Sequence, residues 1–304
     1  MRVLVTGAGG FVGRHVLHEL KVHGHEPVAG MIHLEKLDGP LAQIKTVILD
    51  INNRDQAIET LDKGNFDSII HLAAISHVGD AEKATSNLID VNVTGTGNLL
   101  DALSHTKKRA RMLFVSSSQV FATPLVSSAL DESSLAHPET PYGWSKLAAE
   151  NLCQIYRTTG HDVIIARPFN HIGPGQLPNF VVSGMASRIK AIPNGDALKV
   201  GNLETYRDFT DVRDIARAYR LILEAKAPSP IYVLGSGKCI KIRDIVNSLL
   251  EISGKKVTLE IDPSLLRKVD PARFMANPTL ALHELNWKPE LSIKSTLEEI
   301  YRIA

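Results

Sequence analysis

The sequence predicts an α/β protein: a doubly wound parallel sheet with a smaller C-terminal α/β lobe. Three observations predict it. The chain opens on a short β-branched run, RVLVT at 2–6, that breaks into glycines and then into a helical pattern. Apolar runs of strand length and stretches of helical period then alternate as far as Pro168, the pattern of parallel strands joined by crossover helices. Residues able to do chemistry fall at the C-terminal ends of those runs, where open sheets of this class bind ligands.

Composition narrows the classes. The chain has 304 residues, 44% hydrophobic and 22% charged, with a net charge of +1, enough for one large core or two fused ones. No basic excess predicts a nucleic-acid partner. No apolar run approaches the roughly 20 residues that cross a bilayer, and the N-terminus runs from one Arg into a strand and glycines, unlike a signal peptide. A cytoplasmic protein with no membrane partner is expected. Cys153 and Cys239 fit neither a metal motif nor a disulfide framework and read as structural thiols.

The first strand, 2–6, leads into Gly7, Gly10 and Gly13, and Phe11, Val12, Val16, Leu17 and Leu20 then recur at helical spacing. Strand, glycine turn and helix together predict a dinucleotide site. The first glycine permits the tight turn, the second the approach of backbone to pyrophosphate, and the third the packing of helix on strand. The start of that helix, at Phe11 and Val12, offers free N–H groups to the phosphates.

The second strand, 26–31, ends without the carboxylate that reads the 2′-hydroxyl of NAD, and Glu35 comes late. Arg14, His33 and Lys36 are instead candidate partners for the 2′-phosphate of NADP. NADP is favoured, with NAD as the alternative. A third strand at 47–49 places Asp50 and Ile51 near the adenine, and a fourth at 68–72 ends at Leu72, Ala73 and Ala74, small enough for the cofactor to lie along the backbone. A helix over about 81–104 contains Asn92, a polar residue in an apolar stripe. It is grouped with the cofactor residues and reads first as a tie between segments. The fifth strand, 111–115, delivers Ser116, Ser117 and Ser118. A helix then runs from YGWSK to about 158, and a sixth strand covers 163–167.

After Pro168 the texture changes. Residues 170–176 read as loop, 179–191 as an amphipathic helix, and 198–200 and 205–209 as extended runs around a glycine turn at Gly201. A helix at 212–225 and a strand at 231–234 return to the sheet. Helices at 241–252 and 278–286 and a strand at 257–260 complete a lobe. The expected division is 1–168 plus about 211–234 for the nucleotide, and about 169–210 plus 235–304 for the lobe.

Tyr142 and Lys146, four residues apart, share one helix face. A free phenol has a pKa near ~10, and an adjacent ammonium favours the phenolate. Such a pair can act as a general acid/base at a carbonyl or alcohol.

TGAGGFVG at 6–13, SSS at 116–118, YGWSK at 142–146 and RPFNHIGPGQ at 167–176 resemble the extended short-chain dehydrogenase/reductases, a family of nucleotide-sugar epimerases, dehydratases and reductases. GNLETYRDFTDVRD at 201–214 and VLGSGKCIKI at 233–242 are similar to the reductases acting on GDP-4-keto-6-deoxymannose. The resemblance implies a Rossmann domain, a nucleotide-sugar substrate and a homodimer. It makes Tyr142 the proton donor, Lys146 the residue that lowers its pKa and holds the nicotinamide ribose, and Ser117, three residues before Val120-Phe121, their hydroxyl partner. Pro168 would line the cofactor.

Where related 4,6-dehydratases carry acids after the catalytic hydroxyl, this chain has Ser118 and Gln119, and an amide cannot do carboxylate work. Reduction of a C4 keto group is therefore expected over dehydration. Ser118, Gln119, Asn170, Asn179, Val181 and Arg188 would meet the substrate, with Arg207 and Arg267 on its pyrophosphate. Arg207 has a structural alternative, a salt bridge to Asp208 or Asp211. A nucleotide-sugar 4-epimerase is the rival activity, and an NADP-sensing regulator without catalysis the rival of another class. His71, His77 and His171 lack companions for a metal site and read as structural or solvated.

Overall fold

A computed structural model describes residues 1–76, 85–123, 128–266 and 270–304. The strands β1 (Arg2–Thr6), β2 (Glu26–Met31), β3 (Lys45–Ile48), β4 (Ser68–His71), β5 (Arg111–Val115) and β6 (Val163–Pro168) lie parallel with β10 (Ile231–Leu234) in one sheet. Their order is β10-β6-β5-β4-β1-β2-β3. The order reverses between β1 and β4, and such a switch point opens a crevice at the strands' C-terminal ends.

The alternation of side chains along each strand feeds two cores. Val3 and Val5 of β1 face α1 (Phe11–Val22), and Leu4 faces α2 (Arg54–Gly64). Between β4 and β5 the chain forms α3 (Thr85–Ile89), a π-helical turn at Asp90–Thr94, and α4 (Gly95–His105). Helix α5 (Pro141–Thr158) follows β5 and joins α2 and α4 over the second face. Its start is specified by Pro141 in the first turn and by Thr140, whose hydroxyl accepts the Gly143 N–H at 3.1 Å, a cap worth about 1 kcal/mol.

The lobe is built from α6 (Val181–Ala191) and two further helices, α8 (Ile242–Ser253) and α10 (Ile293–Ile303), packed around Met185, Ile189, Ile245, Leu249, Leu297 and Ile300. Helix α7 (Val212–Glu224) lies beside α1 on the first face of the main sheet. So does α9 (Thr279–Leu285): Ala281, Leu285 and the buried Trp287 join that core, and the Trp287 indole donates to the Asp214 carbonyl at 2.8 Å. The chain from 278 to 287 therefore packs on the main sheet, not in the lobe where the sequence reading put it.

Other elements also differ from expectation. β3 begins two residues early, and the helix expected over 81–104 is interrupted by the π-helical turn, its residues 81–84 lying outside those described. The runs around Gly201 do not face each other. β8 (Ala197–Val200) pairs with β12 (Thr258–Ile261), whereas β9 (Tyr206–Asp211) pairs with β11 (Cys239–Lys241), β13 (Arg273–Phe274) and β7 (Asn170–Ile172). Residues 170–172, expected as loop, thus form a strand, because β9 supplies the backbone partners that the segment lacks alone.

Candidate active site

The crevice between β1 and β4 is shaped by backbone. Gly7 has φ +67, and a Cβ there would lie 2.8 Å from the Ala73 nitrogen. A Cβ on Gly13 would lie 2.6 Å from the carbonyl oxygens of Gly7 and Ala8. Only glycine allows the turn after β1 to close on Ala73 and α1 to start so near it. The N-terminus of α1 has no side-chain cap at Gly10, so its first N–H groups stay available to an anion. The cradle fits a dinucleotide pyrophosphate.

At the outer corner the structure revises the sequence reading. His33 and Lys36 are exposed, as expected of residues that would meet a phosphate. Arg14, however, donates to the Gly9 carbonyl at 3.1 Å and to Asp38 at 3.3 Å, and stands 4.0 Å from Glu35. A Cβ on Gly9 would lie 3.0 Å from Glu35 Oε2. Glu35 is late in sequence but not in space: buried Leu37 anchors the segment after β2 and folds the carboxylate back over the glycine turn. Asp50 accepts the Asn52 N–H at 2.9 Å. Ile51 is packed into the core against Gly95, so its side chain does not reach toward a base. Leu72, Ala73 and Ala74 are half-buried along the crevice and Pro168 is buried at the end of β6.

The strand ends converge on the chemistry. Ser117 hydrogen-bonds the Tyr142 phenol and its Oγ accepts the Gln119 N–H at 3.1 Å. Lys146 Nζ donates to the Val115 carbonyl at 2.7 Å and lies 4.8 Å from the centre of the Phe114 ring. The three residues expected from sequence are thus brought together. Their electrostatics differ from expectation. Burial pushes the Tyr142 phenol up to about 12, opposed only in part by the Ser117 hydrogen bond. Burial pulls Lys146 down to about 8, with Cys153 and Glu150 opposing. The ammonium is directed at a carbonyl and a ring, and it does not draw the phenol toward neutrality as the sequence reading supposed.

Asn92 ties segments together. Its side chain accepts the Ile75 N–H at 2.8 Å and donates to the Ile75 carbonyl at 3.1 Å and to Ser145 Oγ at 3.0 Å. Beneath the site Ser116 donates to Glu150 at 2.5 Å, and Arg167 clasps the same carboxylate with contacts of 3.0 and 2.7 Å. Sequence reasoning passed over Glu150, although it stands one helical turn beyond Lys146.

The substrate residues are more dispersed. Ser118 is buried in the 3₁₀ turn after β5, and the Gln119 amide oxygen accepts the Thr140 hydroxyl at 3.2 Å. Asn170 donates to the Asp208 carbonyl at 3.4 Å. Arg207 pairs with Asp270 and donates to the Pro271 carbonyl at 2.7 Å, so its structural acid is neither Asp208 nor Asp211. Asp208 instead collects Ser236, Gly237 and Ala276. Asn179 and Val181 are exposed at the start of α6, and Arg188 on that helix donates to the Lys199 carbonyl at 2.7 Å. Arg267 and His77 lie outside the described residues.

His71 and His171 have hydrogen-bond partners: Thr6 at 2.7 Å and Thr96 at 3.0 Å for His71, and the Phe169 carbonyl at 3.0 Å for His171. Burial lowers both, His71 to about 3. Among the described residues no group of His, Cys, Asp and Glu assembles as a metal site, and no helix is long and apolar enough to cross a membrane.

Known proteins match this architecture along its length. The model of the GDP-mannose 4,6 dehydratase family matches residues 4–300. GDP-6-deoxy-D-mannose reductase of Pseudomonas aeruginosa is 33% identical, over 98% of this chain and 95% of its own. The structure of RMD from Pseudomonas aeruginosa complexed with NADPH superposes with a TM-score of 0.86 at 31% identity, covering 99% of this chain and 98% of that one. A UDP-glucose 4-epimerase from Thermus thermophilus, in complex with NAD, gives a TM-score of 0.88 at 25% identity, covering 100% and 98%. Fold, motifs and the match over nearly the whole length agree: the chain belongs to the GDP-mannose 4,6 dehydratase family, within the epimerase/dehydratase branch of the short-chain dehydrogenase/reductases.

Proposed function

We propose that the protein is an NAD(P)H-dependent reductase of the C4 keto group of a GDP-4-keto-6-deoxyhexose, forming a GDP-6-deoxyhexose such as GDP-D-rhamnose or GDP-6-deoxytalose. The reading rests on one observation: a hydroxyl and an amide, Ser118 and Gln119, follow Ser117 in the turn beside Tyr142. Elimination of water from a sugar needs a group there that exchanges protons, and neither side chain does so near neutrality. Similarity to the Pseudomonas aeruginosa reductase supports the same substrate class.

The dinucleotide, held by Gly7, Gly10, Gly13 and the start of α1, supplies hydride when bound. The protein's own residues manage charge and proton. Ser117 donates a hydrogen bond to the carbonyl oxygen as negative charge builds on it. Tyr142, with its pKa near 12, is fully protonated at neutral pH, the state in which a proton donor must start. Lys146, still mostly charged at neutral pH, holds the ribose side of the site. NADP(H) is the favoured cofactor and NAD(H) the alternative.

A second reading, nucleotide-sugar 4-epimerase, is favoured by the place of Glu35 over the glycine turn, where a carboxylate suits a retained NAD. The intact Ser117, Tyr142 and Lys146 speak against a regulator without catalysis. We place the protein in the cytoplasm as a homodimer, with Trp144 and Ile155 exposed on α5 as the supporting surface. Residues 1–168 with about 211–234 would hold the cofactor, joined by 278–287, and the remaining C-terminal segments the nucleotide sugar. The test is a panel of GDP-, dTDP- and UDP-4-keto-6-deoxy sugars with NADPH and NADH, followed by product stereochemistry at C4. Turnover confined to the dTDP or UDP sugars would overturn the substrate assignment.

A further inference from the structure

A chain of hydrogen bonds, all donated in one sense, leads from the wall of the crevice to the backbone of Tyr142. The Ala73 N–H donates to Thr6 Oγ1 at 3.2 Å, and Thr6 Oγ1 lies 2.7 Å from His71 Nδ1. His71 Nε2 lies 3.0 Å from Thr96 Oγ1, whose hydroxyl donates to the Asn92 carbonyl at 2.7 Å. The chain resumes at the Asn92 side chain, which donates to Ser145 Oγ at 3.0 Å, and Ser145 donates to the Tyr142 carbonyl at 2.8 Å.

The neighbours of His71 fix its tautomer. Thr96 has one hydroxyl proton, committed to the Asn92 carbonyl, so toward His71 it can only accept and Nε2 must carry hydrogen. The ring is 1% exposed and, among the described residues, no carboxylate touches it, so it is neutral. Its Nδ1 therefore accepts the Thr6 hydroxyl, which leaves a Thr6 lone pair for Ala73. Each hydroxyl and ring N–H proton of the relay is donated to the next member, and successive bonds of one sense polarise one another.

The relay joins the parts that must keep their spacing around a dinucleotide. At one end Ala73 stands so close to Gly7 that a Cβ there would lie 2.8 Å from its nitrogen. At the other, the π-helical turn Asp90–Thr94, a form often found at functional sites, aims both the carbonyl and the side chain of Asn92 inward.

We propose that His71, as the neutral Nε2–H tautomer, is a positioning residue: it fixes the Ala73 wall against the Tyr142 helix and thereby sets the affinity for the dinucleotide. The proposal rests on the cofactor reading above.

The test combines three proteins and three readouts. Nitrogen-15 NMR of the wild-type histidine rings should show His71 protonated at Nε2 only. NADPH affinity, measured by its fluorescence without sugar and well below each melting temperature, should fall about tenfold in His71→Phe, the loss of one or two buried hydrogen bonds. It should largely return in His71→Gln, whose amide offers one acceptor and one donor. A merely structural ring would lower the melting temperature of His71→Phe without moving that affinity. Wild-type affinity in His71→Phe, or an Nδ1–H tautomer, would overturn the relay and leave the cofactor reading standing. No binding by the wild-type protein would overturn the cofactor reading itself, and with it the role given to His71.

Discussion

A Cβ on Gly143 would lie 2.3 Å from the carbonyl oxygen of Gln119. No side chain fits, so the start of α5 can press against the 3₁₀ turn that carries Ser117, and Thr140 fastens the approach by bonding both Gly143 and Gln119. The Ser117–Tyr142 contact is a consequence of that closeness. Gly143→Ala is expected to cost about 1–3 kcal/mol, as overpacking does, and to lower kcat more than it raises KM. Chemical denaturation with steady-state kinetics checks both, and wild-type kcat would show that the contact survives without the glycine.

Lys146 gives a stability signature of defined sign. Its folded-state pKa of about 8 lies below the free value of ~10.4, so between these two pH values the unfolded chain binds the proton and the folded one releases it. The cost of burying the charge is present in full below pH 8 and is relieved as pH rises toward 10. The melting temperature of the wild type relative to Lys146→Met should therefore climb across that window, while turnover by the variant is lost. A flat difference would contradict the buried, depressed ammonium.

Glu150 and Arg167 form a nearly fully buried pair, with side chains 3% and 6% exposed, and Ser116 donates to the carboxylate oxygen that also accepts Arg167 Nε. Removing one member leaves an uncompensated charge, which typically costs 3–5 kcal/mol. Glu150→Gln should lose about 3 kcal/mol of stability in urea unfolding. A loss below about 1 kcal/mol would mean that Arg167 finds another partner.

At the adenosine corner, Glu35→Gln removes the carboxylate that stands beside Gly9 and competes for Arg14. The site is exposed, so the effect is modest, worth at most about 1 kcal/mol. The ratio of kcat/KM for NADPH over NADH should rise about two- to fivefold. A fall in that ratio would remove Glu35 from cofactor selection.

These outcomes follow the line between what the sequence shows and what it hides. The main sheet was legible because most of its strands centre on an apolar run and, β2 to β3 excepted, are joined by crossover helices, and because Gly7, Ser117 and Arg167 mark strand ends. Strands such as β7 and β13 were not, because two or three residues carry no period and take their pairing from β9. Arg207 suggested a local acid, but its partner is Asp270, which β13 brings alongside β9 from a distant part of the chain. The Tyr142–Lys146 spacing put both residues on one helix, as the structure has them, yet their electrostatics depend on burial and on the direction of the ammonium toward Val115, which spacing does not encode. Asn92 was recognised as a tie, while its link to Tyr142 through Ser145 and to Ala73 through His71 required the fold.

The most direct test of the reductase reading is stoichiometry. Purified protein, supplied with GDP-4-keto-6-deoxymannose and NADPH, should oxidise one NADPH for each keto group reduced, and Tyr142→Phe should nearly abolish turnover while keeping its affinity for NADPH. Conversion of the sugar nucleotide at C4 without net consumption of NADPH would contradict the account and identify an epimerase.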